Sequence, residues 1–147
     1  MATKLTPTQE AHLTILATIG KEQWPEENWI TAPYLKTTLD KAGFHFTALE
    51  QHQQPIGSIM AVEEDYPKYW IHYFIVDQAY RRQGIGSQLL QKVEGKLKKG
   101  NFLFVDLEQI RDKEGVSFYL ANGFKIMGKV KNWFDGREGI ILAKKII

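Results

Sequence analysis

Between Val76 and Ile85 the hydrophobic pattern changes from that of a strand to that of a helix, and this change constrains the fold more than any other feature of the chain. Ahead of it lie three strand-like runs, FHFTALE (44–50), IGSIMAVEE (56–64) and KYWIHYFIV (68–76). They are joined by QHQQP and DYP, connections short enough for antiparallel hairpins. The third run is aromatic or apolar at both parities, which predicts a strand covered on both faces. Behind the change, Ile85, Leu89, Leu90, Val93 and Leu97 mark an amphipathic helix over 84–99. Lys96, Lys98 and Lys99 are expected in its last turn, where the helix dipole favours cations, with Gly100 closing it.

The flanking segments add further helices and strands. TPTQ (6–9) has the form of a capping box with Pro7 at the first helical position, and His12, Ile15, Leu16 and Ile19 carry a helix to about Gly20. KEQWPEENW interrupts it, and TAPYLKTTLDKAG opens a second helix at Thr31 and Pro33 that Gly43 ends. Downstream, NFLFVDLE (101–108) reads as a buried strand and Asp112 as the cap of a short helix ending near Asn122 and Gly123. FKIMGKVKNWF and GIILAKKII form a hairpin turned by Asp135 and Gly136. The order is an optional first strand, two helices, three antiparallel strands, helix, strand, helix and hairpin, which is a mixed α/β sheet with helices packed on it.

A chain of 147 residues with 44% apolar content is long enough to bury one core, so residues 1–147 are expected to form a single domain. Charged residues, at 24%, are too few for a disordered chain. With no cysteine there is no disulfide, no thiolate metal site and no thiol acyl-intermediate, and no metal is expected. MATKLTPTQEAHLTIL lacks a basic segment followed by an apolar block, and no apolar run approaches the roughly 20 residues of a membrane span. A cytoplasmic protein is therefore expected. The net charge of +2 is divided unevenly: residues 1–77 carry 5 Lys/Arg and 10 Asp/Glu, residues 78–147 carry 14 and 7. Such a division can set up two fields, one suited to a cation and one to a polyanion.

The stretch AYRRQGIGSQLL (79–90) places two arginines and a Gly-x-Gly directly before the helical run. A dinucleotide fingerprint would need a third glycine where Leu89 stands, and a P-loop would need a lysine that IGSQLL lacks. What remains is a helix start whose amides, over Gln83, Gly84, Ile85, Gly86 and Ser87, have no helical partner. The glycines let an anion approach closely, and the helix dipole with Arg81 and Arg82 adds favourable potential. A tight strand-to-helix turn that merely requires glycine is the alternative.

VDQAYRRQGIG resembles the central motif of the GNAT superfamily of acyl-CoA-dependent N-acyltransferases, Gln/Arg-x-x-Gly-x-Gly/Ala, with Arg81, Gly84 and Gly86 filling it. FYLANGF is similar to the family's second motif through Phe118, Tyr119, Gly123 and Phe124, with Tyr119 35 residues beyond Gly84. The element order agrees over nearly the whole chain. The resemblance implies a mixed, mostly antiparallel central sheet of six to seven strands flanked by four helices. It also implies a splay between the strands 68–76 and 101–108. Many members carry an asparagine seven residues before the tyrosine, where this chain has Asp112. An ionised aspartate accepts but does not donate a hydrogen bond, so a pantetheine contact there is altered.

Under the same resemblance, the amides following Arg81 hold the coenzyme A pyrophosphate, and Phe74 and Val76 offer backbone groups to the pantetheine or the thioester carbonyl. An amide aimed at the developing oxyanion is then the main electrostatic catalyst. Tyr119 is the expected proton donor to the leaving thiolate, against the alternative of an aromatic packed on the helix's inner face. An amine with a pKa of about 10.4 is deprotonated in roughly one molecule per thousand at neutral pH, so a base is needed. Glu108, at the end of its strand, is the first candidate and His72 the second. A solvated strand end and a core histidine are the respective alternatives.

The acceptor pocket is expected among Trp24, Glu26, Glu27 and Trp29, the hairpin residues Glu63, Glu64 and Asp65, and Trp133 with Phe134. Carboxylates beside aromatics suit a cationic amine. The reading is an N-acetyltransferase using acetyl-CoA on a small-molecule or peptide amine, with homodimerisation left open and neither membrane nor nucleic acid as a partner. A non-catalytic acyl-CoA sensor is the competing function. Nucleic-acid binding is disfavoured because the lysines of the basic half are dispersed instead of interleaved with stacking aromatics.

Overall fold

In the computed structural model, which describes residues 3–108 and 111–147, Thr6 and Pro7 lie in a strand and not at a helix start. That strand, β1 (Lys4–Pro7), pairs antiparallel with β2 (Phe44–Leu49) from Lys4↔Leu49 to Pro7↔Phe46. Proline is tolerated because β1 is an edge strand. The Thr6 hydroxyl that suggested a cap donates instead to Pro7 O at 3.2 Å, and the neighbouring Thr8 docks onto β2. Thr8 Oγ1 accepts from Thr47 Oγ1 at 2.9 Å, and Thr8 N–H donates to His45 Nδ1 at 3.0 Å. A single 3₁₀ turn (Glu10–His12) then leads into α1 (Leu13–Gln23). The buried stripe of α1 is Leu13, Leu16, Ala17, Ile19 and Gly20, while Ile15 is exposed, so the helix faces its core a residue away from the expected register.

The other elements are α2 (Ala32–Lys41), β3 (Pro55–Glu63), β4 (Lys68–Val76), α3 (Ile85–Glu94), β5 (Phe102–Glu108), α4 (Lys113–Ala121), β6 (Lys125–Phe134) and β7 (Arg137–Lys145). Strand order in the seven-stranded sheet is β1-β2-β3-β4-β5-β7-β6. The β4–β5 pairing is parallel, while β2–β3, β5–β7 and β6–β7 are antiparallel. The chain divides into two compact units, Met1–Glu63 with Ile71–Leu97, and Glu64–Trp70 with Lys98–Ile147. Among the described residues no helix is long and apolar enough to cross a membrane.

In the first unit, Leu13, Leu16, Ile30, Leu35, Met60, Tyr73 and Ile75 form one apolar cluster under α1 and α2. Thr31 caps α2 by accepting from Tyr34 N–H at 3.2 Å. The Tyr73 hydroxyl donates to the Leu16 carbonyl at 2.7 Å, and a methyl group at Gly20 would sit on that hydroxyl. A buried bond of this kind is worth about 1 kcal/mol, and Gly20 is what admits it. Helix α3 buries Ile85, Leu89, Leu90 and Val93, as its spacing predicts, but it ends at Glu94. Lys96, Lys98 and Lys99 fall beyond it, because the chain tightens into i→i+3 turns at Lys96 and Leu97. At Gly57 on β3, a methyl group would meet Ile75 O at 2.9 Å and Leu89 Cδ1 at 3.5 Å. The glycine thus lets main chain and α3 close together. Strand β4 buries Ile71, Tyr73 and Ile75, whereas His72, Phe74 and Val76 on its other face are only half-buried, so it is not covered equally on both sides.

In the second unit, Leu103 and Val105 on β5 and Ile140 and Leu142 on β7 are buried. Helix α4 lies over Leu107, where a methyl at Gly115 would touch Leu107 Cδ1 at 3.4 Å. The alternate face of β5 presents Phe102, Phe104, Asp106 and Glu108, all half-buried. The β6–β7 hairpin turns at Asp135 and Gly136, with φ 45° and 86°, the left-handed pair that a tight twisted hairpin needs.

Candidate functional site

The first unit supplies a helix start with uncapped amides. Strand β4 ends at Val76, and the Asp77 carboxylate accepts from Ala79 N–H at 3.0 Å to begin a 3₁₀ turn (Gln78–Tyr80). Arg82 and Gly84 are both left-handed, at φ 64° and 78°, and curl the loop onto the start of α3. Such conformations cost about 1 kcal/mol or more for a non-glycine residue and gather at ligand-binding turns. The bond from Gln88 N–H to Gly84 O is the one that closes the first turn of the helix, at 3.0 Å. The amides of Ile85, Gly86 and Ser87 precede it and have no helical acceptor. Gly84 serves as N-cap without a side chain, so nothing of its own covers them. These groups fit a diphosphate, which wants several N–H donors at a positive helix end.

Arg81 is engaged within the first unit. Its Nε–H donates to Val76 O at 3.3 Å and its Nη2–H to the Gln23 side chain. The guanidinium braces the end of β4 against the end of α1. Arg82 and Gln83 are exposed at the loop surface. His72, Phe74 and Val76 share the half-buried face of β4.

The same unit gathers part of the expected acceptor group. Trp29 Nε1–H donates to Glu27 Oε2 at 2.8 Å, and the Trp29 ring meets Tyr34 edge-on at 4.9 Å. Glu26 is exposed, while Trp24 packs against the α1–α2 core and is more structural than its loop position suggests.

The second unit holds the proton-transfer candidates. Tyr119 is the buried residue of α4, with ring contacts to Phe118 at 5.3 Å and Phe124 at 5.0 Å. Burial, and then the charges of Asp106 and Asp112, push its phenol well above the ordinary range, so it stays protonated. Asp112 occupies the N-cap position of α4 but makes no capping bond there. Its Oδ2 accepts from Glu108 N–H at 3.0 Å, and its own N–H donates to Glu108 O at 2.8 Å, which ties the end of β5 to the start of α4. The Glu108 carboxylate pairs with Arg137 Nε at 3.0 Å and Arg111 Nη1 at 3.8 Å. An amine seeking that carboxylate as a base has two guanidiniums to compete with. Glu64 stands exposed in the turn before β4, its N–H bonded to Lys68 O at 3.0 Å.

One residue was missed. Asp106 shares the half-buried face of β5 with Glu108, and Trp133 Nε1–H donates to its Oδ2 at 2.7 Å. Strand alternation from Glu108 places Asp106 on that face in the sequence already. Nothing local announces the indole, which comes from β6 across the intervening β7. Among the described residues, no group of three or more His, Asp or Glu side chains is arranged to hold a metal.

Residues 10–124 match the sequence profile described as the Acetyltransferase (GNAT) family. No curated protein matches the chain. Among solved structures it is similar to an aminoglycoside 6'-acetyltransferase type Ii, at 20% identity and TM-score 0.84 over 98% of this chain and 97% of that one. It is similar to Ard1 from Thermoplasma volcanium at 17% identity and TM-score 0.88, over 100% and 99%. It is also similar to Arabidopsis thaliana Naa50 in complex with the bisubstrate analogue CoA-Ac-MVNAL, at 20% identity and TM-score 0.81, over 99% of both chains. At such identities the likeness to these structures establishes the fold.

Proposed function

The chain belongs to the acetyltransferase (GNAT) family, an acyl-CoA-dependent N-acetyltransferase with acetyl-CoA as donor, and from that premise we propose that it acetylates a primary amine by direct attack on the thioester. The observation that carries the reading is the start of α3. There the amides of Ile85, Gly86 and Ser87 stand ahead of the first helical bond, next to left-handed Gly84. Those amides hold the donor's pyrophosphate, with Arg82 adding charge at the mouth. Phe74 and Val76 position its pantetheine arm through their main chain. When bound, acetyl-CoA supplies an activated acyl thioester. A sequence without cysteine has no thiol to form an acyl-enzyme, which favours direct attack.

Tyr119 donates to the leaving sulfur. Its raised pKa suits a group that must remain protonated until the thiolate forms beside it. Proton removal from the amine falls to Glu108, once the amine displaces its arginine partners, or to His72 through water. The acceptor is a cationic amine, on a small molecule or a peptide. Within the first unit Trp24, Glu26, Glu27 and Trp29, and within the second Glu64 and Trp133, are carboxylates and aromatics of the kind that suits it. Relatives of the fold named for an aminoglycoside and bound to a peptide analogue make both acceptor types worth testing.

The test is thiol release from acetyl-CoA against a panel of aminoglycosides, simple amines and peptide N-termini, with product masses read for a single acetyl addition. Turnover with at least one amine is the expected result. Tight acetyl-CoA binding with no turnover across the panel would turn the reading to a sensor.

A further inference from the structure

The second unit contains a built arrangement around Asp106 that acetyl transfer by Tyr119 and Glu108 leaves unused. Between Val130↔Gly139 and Phe134↔Arg137 the register of β6 against β7 slips, and Asn132 in that bulge is left-handed at φ 55°. Bulges of this kind re-aim a side chain. Here the side chain is Trp133, which packs directly against Gly139. A methyl group at that glycine would come within 2.5 Å of the indole Cδ1 and 2.7 Å of Cγ. Passing over β7, the indole N–H reaches Asp106 Oδ2 at 2.7 Å. A bulge, a left-handed asparagine and a glycine thus combine to put one neutral donor on one carboxylate.

The two carboxylates on this face of β5 are treated differently. Glu108 is neutralised by Arg137 and Arg111. Among the described residues no cation lies within ion-pair distance of Asp106, and its Oδ1 accepts no hydrogen bond. An indole N–H orients a carboxylate without cancelling its charge. The aromatic surroundings continue along the same face, where Phe104 stacks on Trp70 at 5.1 Å. A half-buried anion, held in one orientation beside aromatic rings, is the receptor chemistry of a primary ammonium.

We propose that Asp106 is the carboxylate that receives the protonated acceptor amine, and that Trp133, seated on Gly139, is the residue that positions it. The assignment rests on the acetyltransferase reading only for the amine's role as acceptor. The Asp106 charge is felt by the Tyr119 phenol, which places the ammonium receptor within electrostatic reach of the proton donor in the same unit. The bound ammonium keeps all three protons on nitrogen while it hydrogen-bonds to Asp106, and one of them then passes to the proposed base, Glu108 or His72, to free the lone pair.

The indole N–H of Trp133 gives its own proton resonance, identified by its loss in Trp133→Phe. Titrating the full chain at pH 7 with phenethylamine, and in parallel with the neutral 2-phenylethanol, is expected to shift that resonance saturably with the amine alone. Asp106→Asn should weaken the response at least tenfold. Gly139→Ala keeps both functional side chains but lifts the indole, and should weaken it severalfold; it carries the test if Asp106→Asn fails to fold. Equal shifts with amine and alcohol, no shift with the amine, or undiminished amine binding in these variants would each overturn the proposal. Acetylation of phenethylamine is followed separately. A charge-dependent shift without product counts against transfer and leaves Asp106 as the receptor, while product without that shift does the reverse.

Discussion

At the start of α3 the groups offered to a ligand are main-chain amides, whereas on the half-buried face of β5 and β7 they are carboxylates, a guanidinium and an indole. Of the two arginines beside the amides, Arg81 bonds to Val76 and Gln23 while Arg82 is exposed. Amides do not change when residues are exchanged, and they suit a partner that every member of a family shares. Side chains on a strand face change with each substitution, and they suit the partner that varies. Under the proposed function, the first unit offers the shared donor backbone groups, and the second offers the acceptor side chains.

The sharpest way to break that contrast is to block the amides. Gly86→Trp should weaken coenzyme A binding about a hundredfold or more, close to 3 kcal/mol, with little change in melting temperature, by calorimetry and thermal denaturation. Retained affinity would remove the cradle from the first unit. Next in size, Tyr119→Phe should lower kcat by roughly 10²-fold while the dissociation constant for coenzyme A stays put. A matching loss of cofactor affinity would mean that the phenol packs and does not donate.

Alkaline titration compares the units by a different route. The phenols of Tyr73 in the first and Tyr119 in the second both have folded pKa values above the ordinary value of 10.0, chiefly from burial. Above about pH 10 the unfolded chain loses these protons and the folded chain keeps them, so stability falls as pH rises, and Tyr73→Phe or Tyr119→Phe should flatten that fall. Denaturant midpoints measured from pH 9 to 11 check it, and a slope unchanged in both variants would contradict the burial. The smallest expected effects are those of Gln83→Ala and Ser87→Ala, which should leave coenzyme A affinity within about threefold if the cradle is main chain. A tenfold loss in either would make it a side-chain site after all.

What the sequence discloses follows the range of the interactions. The buried stripe of α3, the Thr31 cap, the Asp135–Gly136 turn and the glycine-flanked helix start depend on neighbours within a turn or two, and each is where its pattern puts it. Thr6 and Pro7 satisfy a local capping rule, yet their strand partners Thr47 and Phe46 lie on β2, some forty residues away, and that pairing wins. Ile15 is apolar at helical spacing, but Leu13 and Ala17 face the core instead, because the sheet decides which side of α1 is inside. The Arg81–Gln23 brace spans 58 residues and the Trp133–Asp106 bond skips a strand. Neither has a local signature. The candidate site is accordingly half legible: its backbone part is visible in the motif, and its side-chain part waits on register.

Gly57 bears on how such a protein can diverge. A methyl group there would meet the main chain of β4, at Ile75 O, more tightly than the Leu89 side chain of α3, at 2.9 against 3.5 Å, so the spacing of β3 and β4 at this point admits nothing larger than hydrogen. One hydrogen in place of a methyl acts as a datum plane. Loops and strand faces elsewhere can then change while this glycine keeps β3 against β4 beneath Leu89 of α3.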